Sequence, residues 1–236
     1  PGNHISTIAS GPTVGDISTS AEAVEVLDRF SIVVSPTVSR IMKSDESETP
    51  APNDRSLQFS QHAVVAGPGK ALEAASDHAK NLGFNVINLG DQVEGLAVEI
   101  AKSHAHLIRT KKLFEHNQRT LLLSGGEATV KVAGEGSGGP NQEYLLALAI
   151  ELNGLENLFG IACDTDGIDG ATTAAGAVIT PSTLSRAAEH GISPKNCLEN
   201  NDAGSFFSLL DDLVTTGPTY TNVNDFRAIA YIPNSD

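Results

Sequence analysis

Short apolar runs alternate with helix-length segments along most of this chain, and this alternation limits the possible folds more than any other feature. Buried strands are predicted at HAVVAG (62–67), FNVINLG (84–90), RTLLLSGG (119–126) and NLFGIACD (157–164), and EATVKVAG (127–134) alternates like a further strand. Strands separated by helices are typical of α/β proteins. The sequence therefore predicts a layered α/β domain with a largely parallel or mixed sheet.

Helices are predicted between these runs, and they are expected to cover both faces of the sheet. Residues 20–30 and 69–83 carry apolar side chains at helical spacing, a long helix is expected from near Asp91, and another from about Pro140. In open α/β sheets, ligands bind beyond the carboxyl ends of the strands. We therefore expect the functional residues in the loops that follow the strands.

A polar, proline-containing stretch at residues 43–56 (KSDESETPAPNDRS) predicts a linker or a long surface loop. It separates two predicted regions, residues 1–56 and residues 57–236. The chain begins with Pro1, which is not an initiator residue. We therefore expect part of the native protein to lie outside this sequence.

Composition excludes several classes of partner. A formal net charge of −14 with 15 lysines and arginines argues against binding to nucleic acid or to an anionic membrane surface. The sequence contains no apolar run that could span a bilayer and no basic-then-apolar signal segment. Cys163 and Cys197 form no CxxC motif, and a reducing cytoplasm suits both. We expect a cytoplasmic protein that binds a small molecule.

The segment GEGSGGPNQE (134–143) places four glycines in six positions immediately before a predicted helix. A helix N-terminus attracts anions, so the first expectation is a phosphate-binding loop. Gly134, Gly136 and Gly139 also satisfy G-x-G-x-x-G, and Asp164 ends the next predicted strand, as a ribose-binding acid would. A dinucleotide site therefore stays open as an alternative.

The segment DTDGIDG (164–170) carries three carboxylates directly after a predicted strand. Hard oxygen ligands favour a divalent cation such as magnesium, which bridges to nucleotide phosphates. The alternative is a tight turn whose Asp side chains cap backbone amides. Polar side chains gather again at residues 201–210 and 215–225, where the alternatives are a ligand site or a set of helix caps and turns.

Six ordered segments now carry a family resemblance: IASGPTVGD (8–16), SGGEATV (124–130), GEGSGGPNQE (134–143), DTDGIDGATTAAGA (164–177), NDAGSFF (201–207) and TGPTYTNVND (216–225). The chain resembles the glycerate 2-kinase family, whose members also carry the name hydroxypyruvate reductase and contain a MOFRL domain. The resemblance implies ATP- and Mg²⁺-dependent phosphorylation of D-glycerate in a cleft between two α/β domains. Residues 1–56 would be the end of a largely missing N-terminal domain, and the isolated chain would turn over negligibly.

Two other functions stay open beside this one. The first is reduction of hydroxypyruvate with NAD(P)H, and the second is a non-catalytic ligand-binding remnant. The oligomeric state also stays open, with a homodimer among the alternatives.

The resemblance also implies roles for individual residues. Asp16, Asp166 and Glu143 are the expected catalytic residues, and Asp166, Asp169 and Glu127 are the expected metal ligands. The remaining expected positions would bind substrate or nucleotide, through glycine amides or polar side chains: Ser10, Gly11, Ser124, Gly125, Gly126, Gly136, Gly138, Asn141, Thr165, Asn201, Asp202, Thr219, Asn222 and Asn224.

The chain departs from the family pattern at two positions. Members typically carry an arginine where this chain has Pro140, and a glycine where it has Tyr220. Proline cannot replace the bidentate guanidinium, although its fixed φ suits the first turn of a helix. We therefore expect Pro140 to favour the helix and to weaken binding of a phosphate or carboxylate.

Overall fold

The computed structural model describes residues 4–44, 47–110 and 118–234. The chain divides into two compact units, Asn3–Val65 and Ala66–Asp236, called here the N-terminal and C-terminal units. The boundary predicted at residues 56 and 57 falls inside the N-terminal unit. Among the described residues, no helix is long and apolar enough to cross a membrane.

The N-terminal unit contains two short helices with clear start signals. Helix α1 (Ser20–Arg29) begins with a capping box, in which the Thr19 side chain accepts from Glu22 N and the Glu22 side chain accepts from Thr19 N. Helix α2 (Pro36–Met42) begins with a proline and is capped by Ser35. Neither helix contains a buried residue.

The C-terminal unit contains the sheet and most of the helices. Its elements follow one another as α3 (Pro68–Asn81), β1 (Asn85–Asn88), β2 (Val93–Leu96), α4 (Ala97–Thr110), β3 (Thr120–Thr129), α5 (Pro140–Leu152), β4 (Leu158–Asp164), β5 (Gly176–Ile179), α6 (Thr183–Glu189), α7 (Pro194–Glu199), α8 (Ala203–Leu209), β6 (Leu213–Val214) and β7 (Asp225–Tyr231).

These strands form one seven-stranded mixed sheet in the order β1-β3-β7-β4-β5-β6, with β2 also paired to β3. Strands β1 and β2 run parallel to β3, whereas β7 lies antiparallel between β3 and β4. The predicted α/β class is confirmed, and of the two predicted sheet types the mixed one is found. The last strand of the chain enters the middle of the sheet, which the alternation of elements does not indicate.

Helices cover both faces of the sheet, as predicted. Leu122 and Leu123 in β3 point to opposite faces because side chains alternate along a strand. Leu122 belongs to the larger core with α4 and α5, and Leu123 packs with Leu72 of α3. Helix α5 is buried along most of its length, which fits its position at the centre of the larger core.

Three element predictions differ from the structure. Residues 62–67 form no strand, and the predicted strands at 119–126 and 127–134 form one strand that ends at Thr129. Helix α4 begins at Ala97 and not near Asp91, because β2 first pairs with the end of β3. A four-residue strand without apolar alternation carries too little signal to be separated from the helix that follows it.

Candidate functional site

The ends of β3 and β4 meet the start of β7 at one edge of the sheet. Asp225, the first residue of β7, pairs with Gly126 on one side and with Asp164 on the other. The loops that leave these strand ends therefore lie side by side. We call the cluster of Glu127, residues 164–166 and residues 222–225 the polar edge.

The two loops of the polar edge are joined by hydrogen bonds through Thr165. Its Oγ1 donates to Asn224 O at 2.8 Å and accepts from Val223 N at 2.8 Å. Thr219 Oγ1 donates to Thr165 O at 2.6 Å, and Thr219 N donates to Asp166 O at 2.9 Å. The hydroxyl groups of the expected binding residues Thr165 and Thr219 thus hold the two loops together by bonding to backbone atoms of the opposite loop.

Two carboxylates and two side-chain amides face solvent at this edge. Asn224 Nδ2 donates to Glu127 Oε2 at 2.5 Å, and Asn222 Nδ2 donates to Asp166 Oδ2 at 3.3 Å. Asn222, Asn224 and Glu127 are exposed or half-buried, and Asp166 is half-buried. The structure therefore brings four expected site residues together, with both donors and acceptors for a polar ligand.

Asp164 ends β4 two residues before Asp166, and both side chains are half-buried. Burial raises the pKa of Asp164, a hydrogen bond from Asp166 N opposes this rise, and the nearby Asp166 and Asp225 charges add to it. Asp166 itself accepts from Ile168 N at 2.9 Å, which is the turn-capping arrangement. The capping alternative and the ligand-binding role are compatible at Asp166, because the cap uses Oδ1, whereas Oδ2 accepts from Asn222 Nδ2 at 3.3 Å.

The glycine loop before α5 packs against residues 200–204. Gly136 N donates to Asn200 O at 2.9 Å, Gly134 N donates to Asn201 Oδ1 at 2.9 Å, and Ser137 N donates to Asp202 Oδ1 at 3.0 Å. Of these N–H groups, that of Gly136 is among those expected to bind phosphate. The expected residues Asn201 and Asp202 bind other N–H groups of the same loop through their side chains.

Close backbone contact explains two of the glycines. A Cβ atom on Gly136 would lie 2.4 Å from Asp202 Cβ and 2.6 Å from Asn200 O. A Cβ atom on Gly139 would lie 2.3 Å from Asp169 Cγ. The glycines therefore allow the loop to approach its neighbours, which is a packing role.

Asp169 occupies the N-terminus of α5. Its Oδ1 accepts from Asn141 N at 3.0 Å and from Asn141 Nδ2 at 3.2 Å, and its Oδ2 accepts from Gln142 N at 2.9 Å. Asp169 is 1 % exposed, and burial raises its pKa to about 6 although these hydrogen bonds favour the charged form. The negative group at this helix end is a side chain of the protein itself.

Glu143 and Asn141 are both buried in the first turns of α5. Glu143 Oε2 accepts from Asn201 Nδ2 at 3.0 Å, and burial raises the Glu143 pKa while that bond lowers it. Asn141 Nδ2 donates to Asp225 Oδ1 at 2.6 Å. These two expected site residues therefore connect α5 to the neighbouring loops and do not face solvent.

Ser124, Gly125 and Gly126 lie within β3. All three residues are buried, and they pair with Arg227, Phe226 and Asp225 of β7. Gly125 N also donates to Gly90 O at 2.9 Å. The backbone of these three residues is therefore paired within the sheet, and Glu127 is the first exposed residue after them.

Asp225 and Arg227 form an ion pair that the sequence analysis did not identify. Arg227 Nη2 contacts Asp225 Oδ2, and both side chains are almost completely buried. His104 Nδ1 lies 2.8 Å from the Tyr144 hydroxyl in the same core. A sequence signal exists for the pair, since DFRAIAY places two charges on the same face of an otherwise apolar strand.

The expected residues of the N-terminal unit surround a cavity of about 380 Å³. Ser10, Gly11 and Asp16 line it together with Thr49. Asp16 Oδ1 accepts from Ser18 N and Oγ, and Oδ2 accepts from Thr49 Oγ1 at 3.1 Å. The bonds from Ser18 and Thr49 lower the Asp16 pKa, which favours the charged form and makes this carboxylate a weak proton-abstracting base.

The expected metal ligands do not form a metal site made by the protein alone. Within the described ranges, no three His, Cys, Asp or Glu side chains are grouped to hold a metal ion. Both oxygens of Asp169 face α5, and Glu127 contacts Asn224. Magnesium in nucleotide sites often uses one or two carboxylates together with phosphates, and a metal contact by Asp166 stays a prediction.

Comparisons with known proteins agree with this fold. Residues 120–225 match the MOFRL family model, and residues 1–43 match the model of a domain of unknown function, DUF4147. Residues 120–225 are therefore similar to the MOFRL family, and the resemblance to glycerate 2-kinases is confirmed. The MOFRL range runs from the start of β3 to the start of β7, so it contains the whole polar edge.

Individual relatives point the same way. The chain is 41% identical over 233 residues to a putative hydroxypyruvate reductase of Agrobacterium vitis, covering 97% of this chain and 52% of that protein. It is 34% identical over 226 residues to the D-glycerate 2-kinase of Thermotoga maritima, covering 95% and 52%. The crystal structure of a glycerate kinase from Thermotoga maritima matches with a TM-score of 0.83 and 33% identity, over 97% of this chain and 54% of that one. The chain thus spans about half the length of these relatives.

Proposed function

We propose that the protein containing this chain phosphorylates D-glycerate with ATP to give 2-phosphoglycerate. The observation that carries this proposal is the match in sequence and in fold to glycerate kinases across nearly all of the chain. Such a transfer moves the terminal phosphoryl group in line from ATP to a glycerate hydroxyl. It depends on alignment and charge stabilisation more than on covalent help from the protein.

The polar edge is the part of the C-terminal unit that suits this task. Asn222 and Asn224 offer side-chain N–H donors to phosphate or carboxylate oxygens, and Asp166 is the residue that would contact Mg²⁺ carried by ATP. The metal would neutralise phosphate charge. Glu127 would orient the Asn224 amide that it already accepts from. Asp16, in the N-terminal unit, would accept a hydrogen bond from a glycerate hydroxyl.

A second domain would complete the site. The N-terminal unit exposes large apolar side chains, among them Ile17 at 90 %, Val33 at 96 % and Phe59 at 88 %. Exposed apolar groups in this density favour packing against further protein. We propose that the remaining half of the relatives' length supplies this partner, with a homodimer as the alternative, and that the protein works in the cytoplasm, where ATP is available.

Reduction of hydroxypyruvate is the second candidate, because the Agrobacterium vitis relative carries that name. The G-x-G-x-x-G segment supports it less than the sequence indicated. Gly134 N and Gly136 N donate to Asn201 and Asn200. In a dinucleotide fold, the backbone of this loop would instead approach the pyrophosphate.

Titration with nucleotides separates the candidates. We expect MgATP to bind, and glycerate-dependent release of ADP to occur, in a form that includes the second domain. The 236-residue chain alone should fold, bind weakly and turn over negligibly, because half of the cleft is absent. NADH binding with hydroxypyruvate reduction would favour the reductase, and binding of neither nucleotide would indicate a non-catalytic remnant. Rapid turnover by the isolated chain would contradict the two-domain cleft.

A further inference from the structure

Arg227 is a cation enclosed in the core of the C-terminal unit. It is 1 % exposed, and its guanidinium carbon lies 5.4 Å from the centre of the Tyr144 ring. Its Nη2 contacts Asp225, while Nε and Nη1 have no hydrogen-bond partner among the described residues. The side chain therefore has one ionic partner and leaves two donor groups unsatisfied.

Stabilisation of the fold does not explain a buried arginine at position 227. A buried charge with unsatisfied donors carries a large desolvation cost, and replacing a buried ion pair with apolar groups is often neutral or stabilising. The next residue of β7 on the same face, Ile229, is apolar and equally buried. The core at this level accepts aliphatic side chains, so the charge of Arg227 needs another explanation.

The partner of Arg227 supplies one. Asp225 Oδ2, which Arg227 contacts, accepts from Ala128 N at 2.7 Å, and Asp225 Oδ1 accepts from Asn141 Nδ2 at 2.6 Å. Ala128 follows Glu127 of the polar edge, and Asn141 lies in the first turn of α5. One carboxylate therefore fixes the end of β3 relative to the start of α5.

We infer that Arg227 is a positioning residue, which holds the Asp225 carboxylate in place and thereby fixes Glu127 and the first turn of α5 at the polar edge. Arg227 is buried beneath the polar edge and acts through Asp225. The ligand-binding consequence rests on the proposed function, whereas the structural consequence does not.

The test compares Arg227→Met with a core variant of equal stability. Ile229→Val or Ile229→Ala serves as the control, whichever matches the urea midpoint of Arg227→Met, because Ile229 is apolar, buried and four residues after Asp225 on β7. Hydrogen exchange is then measured in peptides that contain Ala128 and Asn141. We expect exchange at least tenfold faster in Arg227→Met than in the control, with equal exchange in peptides from α4.

Equal exchange in the two matched variants would overturn the inference and leave Arg227 with a purely structural role. If Arg227→Met does not fold, Arg227→Lys is compared in the same way, since it keeps the charge and loses the planar fork. Isothermal titration with MgATP, in a form that includes the second domain, is the second measurement, and we expect at least tenfold weaker binding than in the control in the same form. Absence of MgATP binding by the unmodified protein would contradict the proposed function, while the exchange data would still decide the role of Arg227.

Discussion

Asp169 Oδ2 accepts a hydrogen bond from the backbone N–H of Gln142 at 2.9 Å. Through this bond and those from Asn141, the protein places its own carboxylate where the sequence predicted a ligand phosphate. The positive end of α5 is therefore compensated inside the protein. Asn222 and Asn224, at the neighbouring strand ends, are exposed and half-buried, and binding of an anionic ligand by their amides stays a prediction.

Removing this carboxylate should destabilise the start of α5. Asp169→Ala leaves two backbone N–H groups and the Asn141 amide without their acceptor, and we expect a loss of about 2 kcal/mol in the free energy of unfolding. Asp169→Asn keeps one acceptor oxygen and should lose less. Urea unfolding of both variants measures the difference. Equal stability of the alanine variant and the unmodified chain would show that the cap contributes nothing.

Stability should also depend on pH through Asp169. Its pKa is raised from 3.8 to about 6 by burial, so the folded protein holds this proton more tightly than the unfolded chain. The contribution of Asp169 is therefore most favourable below pH 4 and declines as the pH rises to 6, by about 3 kcal/mol at most. We expect unmodified protein to lose more unfolding free energy than Asp169→Asn between pH 4 and pH 6. Parallel pH profiles for the two proteins would contradict this assignment.

Tyr220 occupies a backbone conformation that favours glycine. Its φ is +58°, and its side chain is 96 % exposed. A tyrosine in place of the family's glycine therefore costs conformational energy, and its exposed ring is not buried in return. We expect Tyr220→Gly to raise the free energy of unfolding by about 0.5 to 1 kcal/mol. Tyr220→Ala is the control, because it removes the ring but keeps the strained φ, and it should not stabilise the protein.

The sequence predicted the fold class and several helices because those features depend on local patterns. Apolar spacing and Pro140 at the first turn indicate α5, and the apolar run at residues 157–164 indicates β4. The antiparallel insertion of β7 between β3 and β4 depends on pairs that are far apart in the chain, such as Gly126 with Asp225 and Asp164 with Asp225, which no local pattern encodes. The sequence therefore predicted a largely parallel or a mixed sheet, and local patterns could not distinguish between the two.

The sequence indicated one part of the candidate site, the polar edge, but not the contacts of the glycine loop. Acidic and amide side chains after strand ends indicated the polar edge, and Asp166, Asn222 and Asn224 do lie together there. The glycine loop could not be interpreted from sequence, because glycine allows close approach to a phosphate and to another loop equally well. The neighbours at residues 200–204 are distant in sequence, so only the structure shows which of the two the loop approaches.

The role of Asp166 can be separated from turn capping. If it contacts the metal carried by ATP, Asp166→Asn in a form with the second domain should strongly weaken magnesium dependence and lower turnover. The thermal midpoint should hold or rise, since one charge leaves an acidic cluster. Asp54→Asn is the matched control, because Asp54 also accepts from the N–H two residues later and lies in the other unit. Full activity with a lower midpoint would favour the capping role alone.

Pro140 is the first residue of α5, and it is half-buried beside the Asp169 cap. An arginine at this position would place a guanidinium near the helix start, where the glycine loop contributes no cation of its own. We therefore expect Pro140→Arg, in a form with the second domain, to tighten binding of ATP or glycerate or to raise turnover. One charge-assisted contact in the transition state is worth about 1.5 to 3 kcal/mol, or roughly tenfold or more in rate.

The matched control for this substitution is Pro140→Gln, which has a long polar side chain without the charge. Both variants lose the preset φ of proline, so both should lose a little helix stability, and only the arginine variant should gain in kinetics. Steady-state kinetics and thermal unfolding on the three proteins decide the question. Unchanged kinetics in Pro140→Arg would mean that Pro140 only starts the helix. Because Asp169 already neutralises this helix end, the phosphate charge would then have to be met by the metal and by the second domain.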